Sequence, residues 1–340
     1  VTAARRLSVA VVQGGPSTEA EVSRASAAGV AAALKEAGHS VVRLELDTFL
    51  AESLRTGGYD VVFPIAHGAV GEDGSLQGLL EVLGMAYVGS GVLPSALAMH
   101  KRVARVLFAS AGLPVARGMV APRAPAGQGA LAVAEQARRE VGARLVVKPS
   151  SQGSAIGVAR FGADASTADV ARGIEAAWEI DPYAVIEHFA RGREVTCGVL
   201  DLERPEALPP TEILTPNDAF YTFHARYAPG RSVHVCPAEL PPEVTARVQA
   251  VAVGAHAALG CRHLSRADFV VGDDGDAFAV TLLEVNTLPG MTATSLYPEA
   301  AAAKGLPMPR LCAALVEHAY ARHAAATGSA PAGGPRALPL

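Results

Sequence analysis

Two short segments in the last third of the chain carry the residues best suited to chemistry: Arg266-Ala267-Asp268, and Glu284-Val285-Asn286 sixteen positions after Asp268. Each lies in an apolar run of strand type. Residues two apart on a strand face the same side, so Arg266 projects with Asp268 and Glu284 with Asn286. If the two strands pair through a turn at 272–276, one sheet face carries three hard oxygen donors and a guanidinium. Carboxylate and amide oxygens suit magnesium, which takes a few protein oxygens together with substrate phosphates. A solvated strand face with an incidental ion pair would explain either segment alone. The glycine-bearing run Thr287-Leu288-Pro289-Gly290-Met291-Thr292 directly after Asn286 weighs against that reading.

Lysine usage gives a second signal. Only four of the 29 basic residues are lysines, and two of them, Lys101 and Lys148, open a helical pattern and close a strand. An ammonium is a compact point charge suited to a phosphate; two ordinary surface lysines are the competing reading. The loop Ser150-Ser151-Gln152-Gly153-Ser154-Ala155-Ile156-Gly157 joins two strands, and its small residues let backbone N–H groups approach an anion. A plain hairpin turn would need the same residues. The loop is not a Walker A sequence, since no G-x-x-x-x-G-K-S/T occurs, nor a dinucleotide fingerprint, since it leads into a strand. Glu187 and Glu194 flank a turn, where one could accept from an adenine amino group or ribose hydroxyls, or both could be merely solvated. Glu19 follows Gly14-Gly15-Pro16-Ser17-Thr18 at the start of a helix. It is either a first-turn acid behind a Ser17 cap or a partner for an ammonium. His67, before Gly68 and Gly71-Glu72-Asp73-Gly74, is either a capping histidine or a ligand contact.

The elements that must position these residues follow from the hydrophobic pattern. Strands are expected at 7–12, 41–46 and 59–65, with a helix at 20–37 closed by Gly38. This β-α-β rhythm predicts a parallel sheet with ligands at its carboxyl ends. A second unit has a helix at 101–111, strands at 145–149, 156–161 and 183–188, and a helix at 168–178. A third has strands near 193–200, 264–271 and 277–285 and helices at 242–259 and 309–325. The chain of 340 residues exceeds one core. The expected division is 1–97, 98–191 and 192–325, with 326–340 a disordered tail rich in Ala, Gly and Pro.

With half its residues hydrophobic and 18% charged, the chain can bury a large core, and a net charge of −4 offers no field for nucleic acid or anionic lipid. Cys197, Cys236, Cys261 and Cys312 are too scattered for a zinc site or disulfide framework, so reduced thiols in the cytoplasm are expected. Arg5-Arg6 before a six-residue apolar run is too short for a secretory leader, and no segment is apolar over a membrane's thickness.

In order along the chain, these segments resemble the D-alanine–D-alanine ligase family of the ATP-grasp class. The matching stretches are Gly14-Gly15-x-Ser17-x-Glu19-x-Glu21-Val22-Ser23, His67-Gly68-x-x-Gly71-Glu72-Asp73-Gly74-x-x-Gln77-Gly78 and Met99-x-Lys101. They continue with Val147-Lys148-Pro149-Ser150-x-x-Gly153-Ser154, Phe220-Tyr221 through Ala225-Arg226-Tyr227, Arg266-x-Asp268, and Glu284-x-Asn286-Thr287-x-Pro289-Gly290-Met291-Thr292. The resemblance covers roughly 7–306. It implies an α/β chain, α+β in its C-terminal part: an ATP-grasp fold behind an N-terminal parallel-sheet domain. It implies that Lys101 and Lys148 contact ATP phosphates, Glu187 and Glu194 the adenine and ribose, and that Asp268, Glu284 and Asn286 hold two magnesium (or manganese) ions. Glu19, Ser154 and Tyr227 would form a hydrogen-bonded set over the site, with Glu19 binding the first D-alanine's ammonium and His67 lying by its carboxylate. Arg266 and the Gly290 N–H would form an oxyanion site, and Ser295 and Leu296 would receive the second substrate's carboxylate. The implied reaction is ATP-dependent D-Ala-D-Ala formation through an acyl-phosphate for peptidoglycan precursors, by a cytoplasmic homodimer. Ligases forming D-Ala-D-Lac or D-Ala-D-Ser, or a non-catalytic nucleotide sensor, are the alternatives. Arg226, Thr222, His224 and Ala155 depart from the family pattern and bear on loop closure.

Overall fold

The computed structural model describes residues 5–123, 129–216, 231–273, 276–292 and 294–328. In chain order the first elements are β1 (Ser8–Gln13), α1 (Ala20–Glu36), β2 (Ser40–Glu45), α2 (Leu50–Thr56), β3 (Val61–Pro64), α3 (Ser75–Val82) and α4 (Val92–Met99). The three strands form a parallel sheet in the order β2-β1-β3. Its central strand β1 is buried over nearly its whole length, as a strand covered on both faces must be. The β-α-β rhythm is therefore realised, with β3 shortened to Val61–Pro64. One local expectation fails. Ser17 does not cap α1; its hydroxyl donates to the His67 carbonyl (2.7 Å) and accepts the Glu19 N–H. Glu19 occupies the cap position without making a cap bond, which leaves its carboxylate available elsewhere.

The next stretch contains α5 (Lys101–Ser110), β4 (Gly118–Pro122), α6 (Ala130–Glu140), β5 (Leu145–Pro149), β6 (Ala159–Phe161), α7 (Thr167–Ile180) and β7 (Tyr183–His188). Its four strands form an antiparallel sheet, β4-β7-β5-β6. Val133, Ala137, Val170, Ile174 and Trp178 from α6 and α7 pack on Leu145, Val147 and Ile186. Strand β6 begins three residues later than expected. Ser154, Ala155 and Gly157 all have positive φ, a left-handed turn that no strand accommodates.

The last stretch holds β8 (Arg193–Asp201), β9 (Pro205–Ala207), β10 (Thr211–Leu214), β11 (Val233–Val235), α8 (Pro242–Leu259), β12 (His263–Asp273), β13 (Asp276–Asn286), α9 (Leu296–Ala303) and α10 (Met308–Thr327). The antiparallel order is β11-β10-β8-β12-β13, with β9 on β8. Val244, Val248, Ala255 and Leu259 of α8 cover Val195, Cys197, Phe269 and Leu282. Helix α10 returns to the first sheet, where Leu311, Leu315 and Val316 share one core with Val9, Val30, Leu34, Leu264 and Tyr297. That shared core ties the first and third sheets together and fixes the loop between β13 and α9. Ala326 and Thr327 belong to α10 rather than to a tail, and 329–340 lie outside the described residues. All four cysteines are unpaired. Among the described residues no helix is long and apolar enough to cross a membrane.

Tyr297 is the joint of this arrangement. It is 1% exposed, and its hydroxyl donates to the Val199 carbonyl at 2.9 Å. Tyr297→Phe removes the donor and with it one buried hydrogen bond, so unfolding free energy is expected to fall by about 0.5–1.5 kcal/mol. Chemical denaturation with an unchanged slope checks it.

Candidate active site

The pairing of β12 with β13 places Arg266 opposite Asn286 and Asp268 opposite Glu284. All four side chains thus stand on one face, as the period of two requires. Arg266 makes a forked bond to Asp268 through Nε (2.7 Å) and its terminal nitrogen (2.8 Å). The Asn286 amide donates to Asp268 at 3.3 Å, and the Thr196 hydroxyl does so at 2.8 Å. Lys101, from the start of α5, reaches Glu284 at 3.1 Å. The pairing slips by one between Asp268 and Phe269, so that Leu283 is the extra residue on β13. This bulge turns Leu283 and Glu284 both toward the cleft while Leu282 stays in the core.

The cleft on that face lies between the second and third sheets. Val146, Ile156 and Val158 form one wall, and Val270 and Leu283 the other. Lys101, Lys148, Glu187 and Glu194, expected to serve a nucleotide, and Glu284, expected to hold magnesium, all line this one cleft, joined by Arg160. Lys148 pairs with Glu187 at 2.6 Å, Arg105 approaches Glu187 at 3.2 Å, and Arg160 pairs with Glu194 at 2.9 Å. The Ser/Gly loop is fixed at its base. The Lys101 N–H donates to Ser150 O (2.8 Å), Lys101 Nζ to Gln152 O (2.6 Å), and the Ser151 N–H and hydroxyl to Asp181.

A second cavity of about 510 Å³ continues from the first beyond Asn286, lined by Glu19, His67, Glu72, Ser154, Arg266, Asn286, Gly290, Ser295 and Leu296. Here the loop from the second sheet meets the helix start from the first: the Ser154 hydroxyl donates to Glu19 at 2.5 Å across 135 residues of sequence. Burial lowers the His67 pKa; the Glu19 carboxylate opposes that and Arg266 adds to it, with a net fall that leaves the imidazole neutral near pH 7. Its Nε2 is buried without a hydrogen-bond partner. A Cβ at Gly290 would lie 2.9 Å from Ser295 Oγ and would force that hydroxyl to shift. A third, small space lined by Glu72, Lys101, Gln152, Gly153, Glu284 and Asn286 lies between the two.

Every expected site residue among those described is therefore in or beside one continuous groove; Tyr227, Thr222, His224 and Arg226 lie outside the described residues. Asp268 sits behind Arg266 and lines neither cavity. Among the described residues no group of three His, Cys, Asp or Glu side chains could hold a metal ion by itself. The donor set is two carboxylates and the Asn286 amide, which fits an ion held partly by phosphates.

Glu72 received no role from sequence. It accepts the Gly68 N–H at 2.8 Å and faces both the second cavity and the third. The signal was its place four residues after Gly68 in the same motif as His67, which bends both side chains toward one space. Burial, with the Glu19 carboxylate next, pushes its carboxyl up to about 8. A carboxyl that ionises more readily when unfolded makes folding progressively less favourable as pH rises from the unfolded value to the folded one. Glu72→Gln mimics the protonated form and keeps the Gly68 bond. Its melting temperature should match wild type near pH 4 and exceed it increasingly up to about pH 8. A constant difference across that range, in thermal scans without nucleotide, would refute the shift.

Comparison with known proteins gives this groove its relatives. Residues 107–317 match the family model "D-ala D-ala ligase C-terminus" and residues 47–90 match "D-ala D-ala ligase N-terminus". A D-alanine–D-alanine ligase of Acidiphilium cryptum is 45% identical over 318 residues, covering 92% of this chain and 99% of its own length. One from Pelotomaculum thermopropionicum is 41% identical, covering 92% and 96%. Among solved structures, the Bacillus anthracis D-alanine–D-alanine ligase complexed with ATP superposes with a TM-score of 0.79 at 27% identity, covering 94% of this chain and 99% of that one. The Coxiella burnetii ligase gives 0.77 at 28% identity, covering 95% and 98%. With its cleft between two antiparallel sheets and its parallel sheet ahead of them, the chain belongs to the D-alanine–D-alanine ligase family and has the ATP-grasp fold.

Proposed function

We propose that this chain joins two molecules of D-alanine at the cost of one ATP, forming D-Ala-D-Ala for peptidoglycan precursors. The observation that carries the reading is the continuity of the groove. The lysine-lined cleft opens, past the face bearing Arg266, Glu284 and Asn286, into the cavity of Glu19, His67 and Ser295. A nucleotide in the first and an amino acid in the second bring a γ-phosphate and a carboxylate together at Glu284 and Asn286.

The roles follow from position. Lys101 and Lys148 draw the ATP phosphates inward, and Glu187 and Glu194 accept from adenine and ribose. Asp268, Glu284 and Asn286 would hold magnesium, two ions in this reading, which supplies charge neutralisation for phosphoryl transfer. Glu19 takes the ammonium of the first D-alanine, and His67 lies by its carboxylate. A carboxylate oxygen attacks the γ-phosphorus, ADP departs, and an acyl-phosphate remains. The neutral amine of the second D-alanine, its carboxylate on Ser295 and the Leu296 N–H, then attacks the acyl carbon. Arg266 and the Gly290 N–H stabilise the tetrahedral oxyanion; inorganic phosphate leaves, and the nitrogen sheds its proton. The Ser154–Glu19 bond keeps water from the acyl-phosphate.

The three sheets, taken as units 1–97, 98–191 and 192–325, then divide the work among substrate, nucleotide and chemistry. A homodimer in the cytoplasm completes the proposal, the latter consistent with four unpaired cysteines.

The direct test is product analysis with Mg-ATP and D-alanine, in competition with D-lactate and D-serine across pH. D-Ala-D-Ala with stoichiometric phosphate is expected, and its absence sinks the proposal. Phosphate release that D-alanine does not stimulate would instead favour a nucleotide sensor. Arg266→Ala should fold but lose turnover by at least about a hundredfold, the usual consequence of deleting an oxyanion donor. Wild-type rates in that variant would remove Arg266 from the mechanism.

A further inference from the structure

One wall of the substrate cavity is the first turn of α9, through Ser295 and Leu296. A helix of eight residues has too few internal bonds to hold itself in place. Its cap hydroxyl is engaged locally, accepting the Thr292 N–H at 3.0 Å and lying 2.7 Å from Thr292 Oγ1. Its position must therefore come from tertiary contacts. Tyr297 anchors one side to β8. The other side meets the edge of the third sheet at two points. Leu296 and Ile213 form a small buried cluster of their own, and Glu299 Oε2 lies 2.9 Å from His234 Nδ1.

The two contacts are in register. Ile213 and His234 are directly paired on β10 and β11, so their side chains share a face. Leu296 and Glu299 are three apart on α9, so theirs do too. A cross-strand pair thus meets a helical pair, one contact apolar and one polar. A carboxylate can only accept, so His234 donates from Nδ1. Its Nε2 is buried without a hydrogen-bond partner, leaving the bond to Glu299 as the ring's polar attachment. Strand β11 has three residues and stands at the end of the sheet.

We propose that His234 and Glu299 are positioning residues for the second substrate: their hydrogen bond, beside the Leu296–Ile213 contact, sets where the first turn of α9 meets that substrate's carboxylate. The inference rests on the ligase reading of the same site. Neither side chain lines the cavity; both act through the helix.

Dipeptide formation with Mg-ATP, followed over a range of D-alanine and resolved into two successive amino-acid sites, tests it. His234→Ala should raise KM for the second site about tenfold, the value of a hydrogen bond to a charged group. The first-site KM, the ATP KM and the saturating rate should stay within about twofold of wild type. His234→Asn, whose amide N–H reaches the place of Nδ1, should recover most of the loss. Glu299→Ala should match His234→Ala, and the double variant should add little more. An unchanged second-site KM overturns the proposal. So does a uniform rise in all three constants that Asn does not rescue, or failure of both alanine variants to fold, since either makes the pair merely structural. Wild-type protein that forms no dipeptide overturns this inference together with the ligase reading; an active wild type with unaffected variants overturns this inference alone.

Discussion

The site depends on a repulsion that the fold has to offset. Strands β12 and β13 set Asp268 directly opposite Glu284, an arrangement that is unfavourable on an ordinary sheet. Each carboxylate is given a cation: Arg266 forks onto Asp268 from the same strand, and Lys101 reaches Glu284 from the start of α5. The second partnership binds the middle of the chain to its last third. Lys101 also holds the Gln152 carbonyl, so the glycine-rich loop is referenced to the same point. A pair of acids that must be balanced thereby fixes the relative placement of two sheets and the loop between them.

Much of this was legible in the sequence because it rests on short periods. The alternation Arg266-x-Asp268 and Glu284-x-Asn286 needs only the pleat of a strand to define a face, and the observed register agrees. The strand Leu145–Pro149 and the helix Pro242–Leu259 have the boundaries that their hydrophobic pattern and proline mark. Other features depend on geometry that no local pattern records. The bulge at Leu283 puts two consecutive residues into one cleft, where strict alternation would send one of them into the core. Ser17 reads as a helix cap, yet the His67 carbonyl, fifty residues on, competes for its hydroxyl. Strand β6 starts late because three residues before it take left-handed backbone conformations, although only one of them is glycine. Glu72 looks like turn chemistry until the fold brings Glu19 beside it.

The two cavities differ in how they are built, and the difference has a physical origin. The nucleotide cleft has apolar walls on two sheets, and its charges are already paired: the buried Lys148 with Glu187, and Arg160 with Glu194. Pairing keeps half-buried charges tolerable before ligand arrives. The second cavity keeps an imidazole nitrogen, His67 Nε2, buried without a partner. Buried polar atoms of that kind are costly unless something polar comes to meet them. The cost falls where a small zwitterion with a carboxylate would relieve it.

Within that second cavity the two ends are held by unequal means. The end at Glu19, His67 and Ser154 is assembled from the first and second sheets, with the Ser154–Glu19 bond crossing between them. The end at Ser295 and Leu296 is one helical turn, held by Tyr297 beneath and by two side-chain contacts at the sheet edge. A shift at the first end would disturb two sheets at once, whereas a shift at the second disturbs only a short helix. On the ligase reading proposed above, discrimination among second substrates that differ in nucleophile or side chain would be altered most easily at α9 and the strands that brace it. The face bearing Arg266, Glu284 and Asn286 stays where the Asp268–Glu284 constraint puts it.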